Sequence, residues 1–445
     1  MSESKFSGYL LKCAVVGALG GLLFGFDTAV ISGSTATLSQ TFNLSPAMLG
    51  GTVSSALWGT VISALTAGLV GEHIGARETL RITAFLYVIS AIGCACAWSL
   101  PALVAFRFIG GLGIGGSSVL GPIYIAELAP ASWRGRLVGM FQINIVVGIL
   151  LAYFSNYLIG LQNLGLNEWR YQLGVSGVPA LLFLVMLFGI PRSPRWLVSK
   201  GHIDEARAVL SKTSPANAES ELNEIVTAIG EQRSEEDEPL FRMKYKLPIM
   251  LALAIGCFNQ LSGINAILYY LNDIFSYAGF SRVSGGMQSV IIGATNLIFT
   301  LVAMAVIDKV GRKMLLLIGS VGMSICLLSV ASILHAQQNL DLLVWCLVAY
   351  IGFFAFSQGA VIWVYISEIF PTRVRAKGQS LGCSAHWIMN ALISCVFPIL
   401  AQSSKDMPFF FFASMMVLQF FIVLMFFPET KGISLEQMEK RLVRV

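Results

Sequence analysis

The sequence predicts an all-α membrane protein of twelve transmembrane helices in two pseudo-symmetric six-helix bundles. Three observations predict it: composition, the number of apolar stretches and an internal repeat. Hydrophobic residues make up 56% of the 445 and charged residues only 12%, with a mean hydropathy of +0.75. No soluble core buries that much apolar surface. A charged signature occurs twice, Glu127 being followed seven residues later by Arg134, and Glu368 by Arg375. GEHIGARETL from Gly71 has a counterpart in IDKVGRKMLL from Ile307, each an acid, two residues, a glycine and a basic cluster. The offsets, 241 and 236 residues, are about half the chain. Such a long repeat means two homologous bundles rather than a solenoid.

Crossing roughly 30 Å of hydrocarbon takes about 20 apolar residues. Twelve such stretches begin near Leu10, Met48, Leu80, Pro101, Arg136 and Tyr171, then near Leu247, Gly286, Met314, Asp341, Lys377 and Met407. The expected domains are therefore an N-terminal bundle (1–190), a polar helical linker (191–246), a C-terminal bundle (247–427) and a tail (428–445). Duplicated halves around a midplane site are how many secondary transporters are built.

Lys and Arg favour cytoplasmic loops. Of the 29, Arg107 falls inside a span and Arg170, Arg282 and Lys405 in odd-numbered loops; the other 25 lie on the opposite side, which puts both termini in the cytoplasm. The net charge of +5 is then topogenic and no nucleic-acid patch is read from it. In the linker, HIDEARAVL and SPANAESELNEIVTAIG are expected as amphipathic helices, the second with Ser214 as N-cap and Pro215 at its first position. ISLEQMEKRLV carries a Ser434/Gln437 capping-box pattern and is expected as a terminal surface helix. The first span lacks a small-residue cleavage site and is expected to stay in place.

All eight cysteines fall in expected spans without the spacing of disulfides or zinc sites. The string Gly111-Leu-Gly-Ile-Gly-Gly116 fits G-x-G-x-x-G, which marks a dinucleotide site only between a strand and a helix. Inside a transmembrane span, such small residues let helices approach closely. His73, His202, His335 and His386 form no metal-ligand cluster, and no nucleophile, base and acid set is present. No cofactor and no enzyme activity are expected.

Ionisable groups in the bilayer are costly and usually functional. Two are clearly intramembrane, Asp27 in GGLLFGFDTAVISGS and Arg107 in VAFRFIGGLGIGG. They can form a proton switch, in which Asp27 becomes protonable when the pair separates, or a static ion pair locking spans one and four. From residue types alone both remain open.

PRSPRWLVSKG at Pro191, PETKG at Pro428, the paired E-x₆-R signatures and NQLSGINAILYY at Asn259 together resemble the sugar porter family of the major facilitator superfamily. The resemblance covers nearly the whole chain and is closest to bacterial sugar-proton symporters and facilitative glucose transporters. It implies the major facilitator fold, with a hexose or pentose bound between the bundles. It puts the coupling acid at Asp27 and its partner at Arg107; the uncoupled facilitators carry Asn at the acid's position. It places sugar contacts on Gln142, Gln260, Asn265 and Asn296, with Asn390 included in the expected site. Amides offer donors and an acceptor to sugar hydroxyls without burying charge. Tyr270, Trp363 and Trp387 are implied as apolar faces for the ring.

Several positions depart from the family. Asn259 stands where relatives have Gln, and His386 where they have Gln or Asn. His386 is read equally as a packed neutral histidine or as a ligand contact or second titrating group. Gln358 replaces an aromatic or Pro at a pocket-facing position. In the cytoplasmic gate, Arg192 occupies the position of a family Glu and Ala76 that of a basic residue. A weakened first-half network of Arg77, Glu127, Arg134 and Arg195 is expected beside a regular second-half set of Arg312, Glu368, Arg375 and Glu429.

The expected function is uptake of a monosaccharide by alternating access, as a sugar-proton symporter acting as a monomer in the lipid bilayer of the cell's inner membrane. The alternatives are a sugar or polyol uniporter and a non-transporting membrane sugar sensor. A sensor would carry long signalling tails, which the short run from the last span to Val445 disfavours. An ion channel lacks its ring of charges or re-entrant filter.

Overall fold

The computed structural model describes residues 7–215, 217–232, 239–433 and 435–442. Within them are twelve helices or helix pairs long and apolar enough to cross a membrane. In lipid no water satisfies backbone N–H and C=O groups, so a continuous helix is the economical way across. The first half holds α1 (Gly8–Phe42), α2 (Pro46–Ile74), α3 (Ala76–Ala95), α4 (Leu100–Leu128) and α5 (Ala131–Gly160). Its sixth span is broken into α6 (Glu168–Gly174) and α7 (Gly177–Met186).

The linker forms α8 (Pro194–Ser199), α9 (Ile203–Thr213) and α10 (Ala218–Gln232), held by a small core of Leu197, Val198, Ala206, Leu210 and Leu222. The expected start of α10 at Ser214 is corrected: Ser214 ends α9, and its hydroxyl donates to Glu221 at 2.7 Å inside the next helix. A serine side chain can serve either helix end, and here the α9 carbonyls claim its backbone N–H.

The second half opens with a seventh span in two pieces, α11 (Lys246–Leu261) and α12 (Ile264–Tyr269), followed by the short α13 (Leu271–Tyr277). The first break falls at Gly263, which takes a positive φ of 85° against Phe412. Then come α14 (Arg282–Val310), α15 (Arg312–Ala336), a tenth span split at Ser357 into α16 (Leu342–Phe356) and α17 (Gln358–Ile369), α18 (Arg375–Ser403) and α19 (Met407–Phe426). A short surface helix, α20 (Leu435–Leu442), follows. Ser434 of the expected capping box lies outside the described residues.

The chain resolves into two compact units that cut across the sequence repeat. One comprises Met1–Asp27, Gly59–Gly148 and Gly174–Asp237; the other comprises Thr28–Trp58, Ile149–Leu173 and Glu238–Val445. The second unit thus gathers the ends of α1, α2 and α5 that lie far from the termini, here called distal, with the second half of the chain. Within it the Tyr153 hydroxyl donates to the Leu268 carbonyl at 2.9 Å. A β-carbon at Gly50 would overlap the Cys395 carbonyl, and one at Gly293 would press on Leu150 and Tyr153.

Within the first unit, α1 and α5 touch backbone to backbone. A β-carbon at Gly25 would overlap the Ile145 carbonyl, and one at Gly148 the Leu22 carbonyl. Small residues at such a crossing gain van der Waals contact where lipid offers no hydrophobic drive between helices. Gly148→Val is expected to lower the thermal midpoint of the purified protein, at a cost of about 1–3 kcal/mol from overpacking. Gly68→Ala, where the added methyl meets nothing, should hold or raise it. Equal midpoints for parent and Gly148→Val would refute the crossing.

Candidate functional site

In the first unit, α1 and α4 bring the two intramembrane charges together. Arg107 Nη1 and Nη2 lie 3.3 and 3.5 Å from Asp27 Oδ1 and Oδ2, a forked arrangement. Arg107 is 4% exposed and its Nε is buried without a hydrogen-bond partner. One carboxylate is therefore the compensation for a guanidinium with an unsatisfied donor, and removing either partner leaves a buried charge. The glycine string of α4 packs as a close-approach surface: a β-carbon at Gly115 would overlap the Thr60 carbonyl of α2. Gln142 on α5 is half-buried, with no side-chain hydrogen bond among the described residues. Its donors and acceptor are free for a ligand.

In the second unit, the broken seventh span and α18 build a polar cluster in an apolar setting. Gln260, 1% exposed, donates from Nε2 to Asn259 Oδ1 at 3.2 Å and accepts at Oε1 from Asn265 Nδ2 at 3.2 Å. The same Nε2 lies 3.2 and 3.3 Å from the ring nitrogens of His386. An amide N–H is a donor only, so the ring nitrogen facing it carries no proton. This geometry favours the neutral, packed histidine of the two readings. His386 also sits 5.0 Å from the Trp363 ring and 5.2 Å from Trp387, so aromatic walls flank the amides. Asn390 Nδ2 donates to the Tyr269 hydroxyl at 3.2 Å, and its Oδ1 accepts from Ser394 at 3.2 Å. Asn296 on α14 is buried.

Two expected contacts go elsewhere. The Tyr270 hydroxyl is spent on the Ser394 carbonyl at 2.9 Å and its ring stacks on Phe397 at 5.1 Å, so it packs α13 against α18. Its neighbour Tyr269 joins Asn390 instead. The break at Gly263 shifts the helical phase by one residue, which uniform spacing along the span does not convey. Gln358 begins α17 and donates to Gln419 Oε1 at 2.6 Å, with Met416 Sδ at 3.3 Å. Both amide hydrogens thus tie the tenth span to α19.

The charged signatures occupy the helix ends on the side of the termini. In the second half, Arg312 Nε and Nη2 donate to Glu368 at 3.2 and 2.9 Å, and Thr430 Oγ1 donates to Glu368 at 2.6 Å. Glu429 accepts the backbone N–H of Arg312 at 2.9 Å and of Lys313 at 3.1 Å, placing a carboxylate on the N-terminus of α15. That site favours negative charge. Arg375 Nε donates to the Phe370 carbonyl at 3.3 Å.

The first half repeats this plan with altered charges. Ser193 hydrogen-bonds Glu127 as Thr430 does Glu368, and Arg195 faces Glu127 where Ala76 leaves no equivalent of Arg312. Arg134 Nε donates to the Ala126 carbonyl at 3.1 Å. The expected weakening at Arg192 is corrected by a residue that sequence reasoning passed over. Glu78, in the first turn of α3, pairs with Arg77 Nε at 3.0 Å, Arg81 Nη1 at 2.9 Å and Arg192 Nε at 3.4 Å. The acid lost at position 192 is supplied from position 78. The signal was present in GARETLR, an acid at the N-terminal turn of a span between two arginines.

A model of the family described as "Sugar (and other) transporter" matches residues 13–442. The chain belongs to this family. It is 36% identical over 477 residues to a D-xylose-proton symporter of Escherichia coli strain K12, covering 99% of this chain and 97% of the relative. It is 34% identical to an arabinose-proton symporter of Bacillus subtilis strain 168, covering 99% and 96%. Among solved structures, an inward-open conformation of the xylose transporter XylE from E. coli superposes with a TM-score of 0.87 at 34% identity, covering 98% of this chain and all of that one. This family member is a helical transporter with the major facilitator fold, not an enzyme.

The Glu78 pairing sets the sign expected for a substitution at 192. Arg192→Glu should set two carboxylates side by side and destabilise the protein by up to about 1 kcal/mol, the scale of half-exposed pairs. Arg192→Gln should cost less, and in a Glu78→Gln background the difference between the two should vanish. A thermal-midpoint cycle over these variants checks it; a gain in Arg192→Glu would show that Glu78 is not the partner.

Proposed function

We propose that this transporter takes up a monosaccharide together with a proton by alternating access, in a cytoplasmic membrane with both termini inside. The observation that carries this reading is the forked Asp27–Arg107 pair, its arginine buried and its aspartate half-buried, in a chain of the sugar transporter family. An ionised Asp27 holds Arg107; a proton on Asp27 removes the attraction and frees the guanidinium, so proton and conformation bias one equilibrium. The names of the xylose and arabinose symporters support a pentose or a related hexose as the sugar.

The sugar is read by Gln142 from the N-terminal half (1–190) and by Gln260, Asn265, Asn259, Asn296 and Asn390 from the C-terminal half (247–427), with Trp363, Trp387 and Tyr269 against its apolar face. His386, bonded to Gln260 and packed against Trp363 and Trp387, holds that set in place. The linker (191–246) and tail (428–445) lie in the cytoplasm, beside a gate formed by Arg77, Glu78, Glu127, Arg134, Arg192 and Arg195 in one half and Arg312, Glu368, Arg375 and Glu429 in the other. The distal ends then face outside, and their packing within one compact unit supports a state closed to the outside, as does the likeness to an inward-open transporter. The protein works as a monomer.

The test is uptake of labelled D-xylose, arabinose and glucose into proteoliposomes with and without an imposed pH gradient. Gradient-driven accumulation is expected for at least one sugar; equal uptake with and without the gradient would make the protein a uniporter.

Asp27→Asn is expected to abolish accumulation while keeping sugar exchange, because the titrating group is lost and the amides are untouched. A mutant that still concentrates sugar would remove Asp27 from coupling. Gln260→Ala is expected to weaken binding roughly five- to hundredfold, since one unmatched buried partner costs about 1–3 kcal/mol. Unchanged affinity by calorimetry would place the sugar elsewhere.

A further inference from the structure

A second carboxylate sits in the packed distal cluster and takes no part in the site described above. Asp273 lies in the first turn of α13, past the apolar span that ends at Tyr269. Its Oδ2 is buried and has no hydrogen-bond partner among the described residues. Across from it, on α1, stands Thr35, which is 1% exposed and whose hydroxyl is within hydrogen-bonding reach of the carboxyl. That hydroxyl already donates to the Ser32 carbonyl at 3.3 Å. Shared in this way, the hydroxyl offsets only part of the cost of burying the carboxylate.

The surroundings offer an ionised Asp273 no compensation. Among the described residues no Lys, Arg or His lies within ion-pair distance of it. The charged or titratable groups that sense it are Tyr270 and Tyr277, both neutral as phenols. Lys405 reaches only the Tyr277 ring, 5.3 Å from its centroid. The adjacent Asn272 is occupied by Ser289 of α14 at 2.7 Å. Burial accordingly pushes the Asp273 carboxyl up from the ordinary aspartate range to about 7, against the smaller effects of Thr35 and its own backbone amide.

We propose that Asp273 is a second proton-binding site, separate from Asp27, which holds its proton while the distal ends of α1 and α13 are packed and releases it to the outside water when they part. The distally closed state then binds one proton more than the open state between the ordinary aspartate range and about pH 7. Closure is favoured at the acid end of that window, and the advantage is lost as the pH rises through it. For one proton the open-to-closed ratio gains at most about tenfold per pH unit and levels off above neutrality. The inference goes beyond symport: it makes opening toward the outside sensitive to external pH even without sugar.

Two measurements on the full chain in liposomes test it. The first is an infrared titration of the protonated carboxyl C=O band in parent, Asp27→Asn and Asp273→Asn. A band that disappears near neutral pH, survives in Asp27→Asn and is absent from Asp273→Asn is expected. A band that persists in Asp273→Asn, or an Asp273 band that titrates in the ordinary carboxylate range, would overturn the proposal. The second uses spin labels at Gln162 and Gln338, two exposed distal loop positions, with the native cysteines replaced. The separated population should rise with pH up to neutrality in the parent and stay flat in Asp273→Asn; matching curves would overturn it. Should Asp273→Asn not fold, Thr35→Val decides. Loss of the hydroxyl, which works against protonation, should leave the band in place or move its titration to higher pH, whereas a band that then titrates in the ordinary carboxylate range would overturn the proposal. None of these readouts uses sugar, so failure of coupling at Asp27 and failure here are told apart.

Discussion

An ionised carboxylate persists among apolar helices only where something nearby answers its charge, and the acids of this protein are organised by that requirement. Asp27 is answered by the forked guanidinium of Arg107. Glu368 is answered by Arg312, and Glu429 by the N–H groups that open α15. Glu78 is answered by three arginines at once. Each of these acids thereby makes at least one contact with an element distant in sequence. Polar economy thus orders helices that the hydrophobic effect, absent between helices in lipid, leaves undirected.

Comparison of the two halves shows how such contacts change without loss of plan. The position that carries Glu429 in one half carries Arg192 in the other. Where Glu429 caps α15 from a loop, the corresponding helix α3 takes its negative charge from within its own first turn, at Glu78. The loop residue has changed sign, and Glu78, which stands where the second half has Met314, supplies the acid in its place. An acid near the N-terminus of α3 is favourable from either place, because the helix dipole acts on charge and not on chain position.

Much of this was legible in the sequence. The number of spans, the duplication, the interruption between the halves and the pair of intramembrane charges follow from composition and spacing, since lipid penalises charge and unpaired backbone heavily. The amide set around Gln260 was also legible. What escaped depends on partners far along the chain or on local breaks in helical phase. Gln358 turns to Gln419 on α19, which no spacing rule announces. Tyr269 replaces Tyr270 because the helix stops and restarts at Gly263. The role of Glu78 was hidden because the acid that pairs with Arg192 lies 114 residues away along the chain.

The contact at Gly25 and Gly148 bears on how a proton event is transmitted. Asp27 lies two residues from Gly25, where the backbone of α1 rests on the Ile145 carbonyl of α5 with no side chain between them. Side chains can change rotamer to absorb a small displacement, but two backbones in contact have no such slack. A shift of α1 at the level of Asp27 must therefore carry α5, and with it Gln142, three residues before Ile145, as one stiff lever. The residue proposed to bind the proton and the amide proposed to read the sugar are thereby joined through backbone without touching.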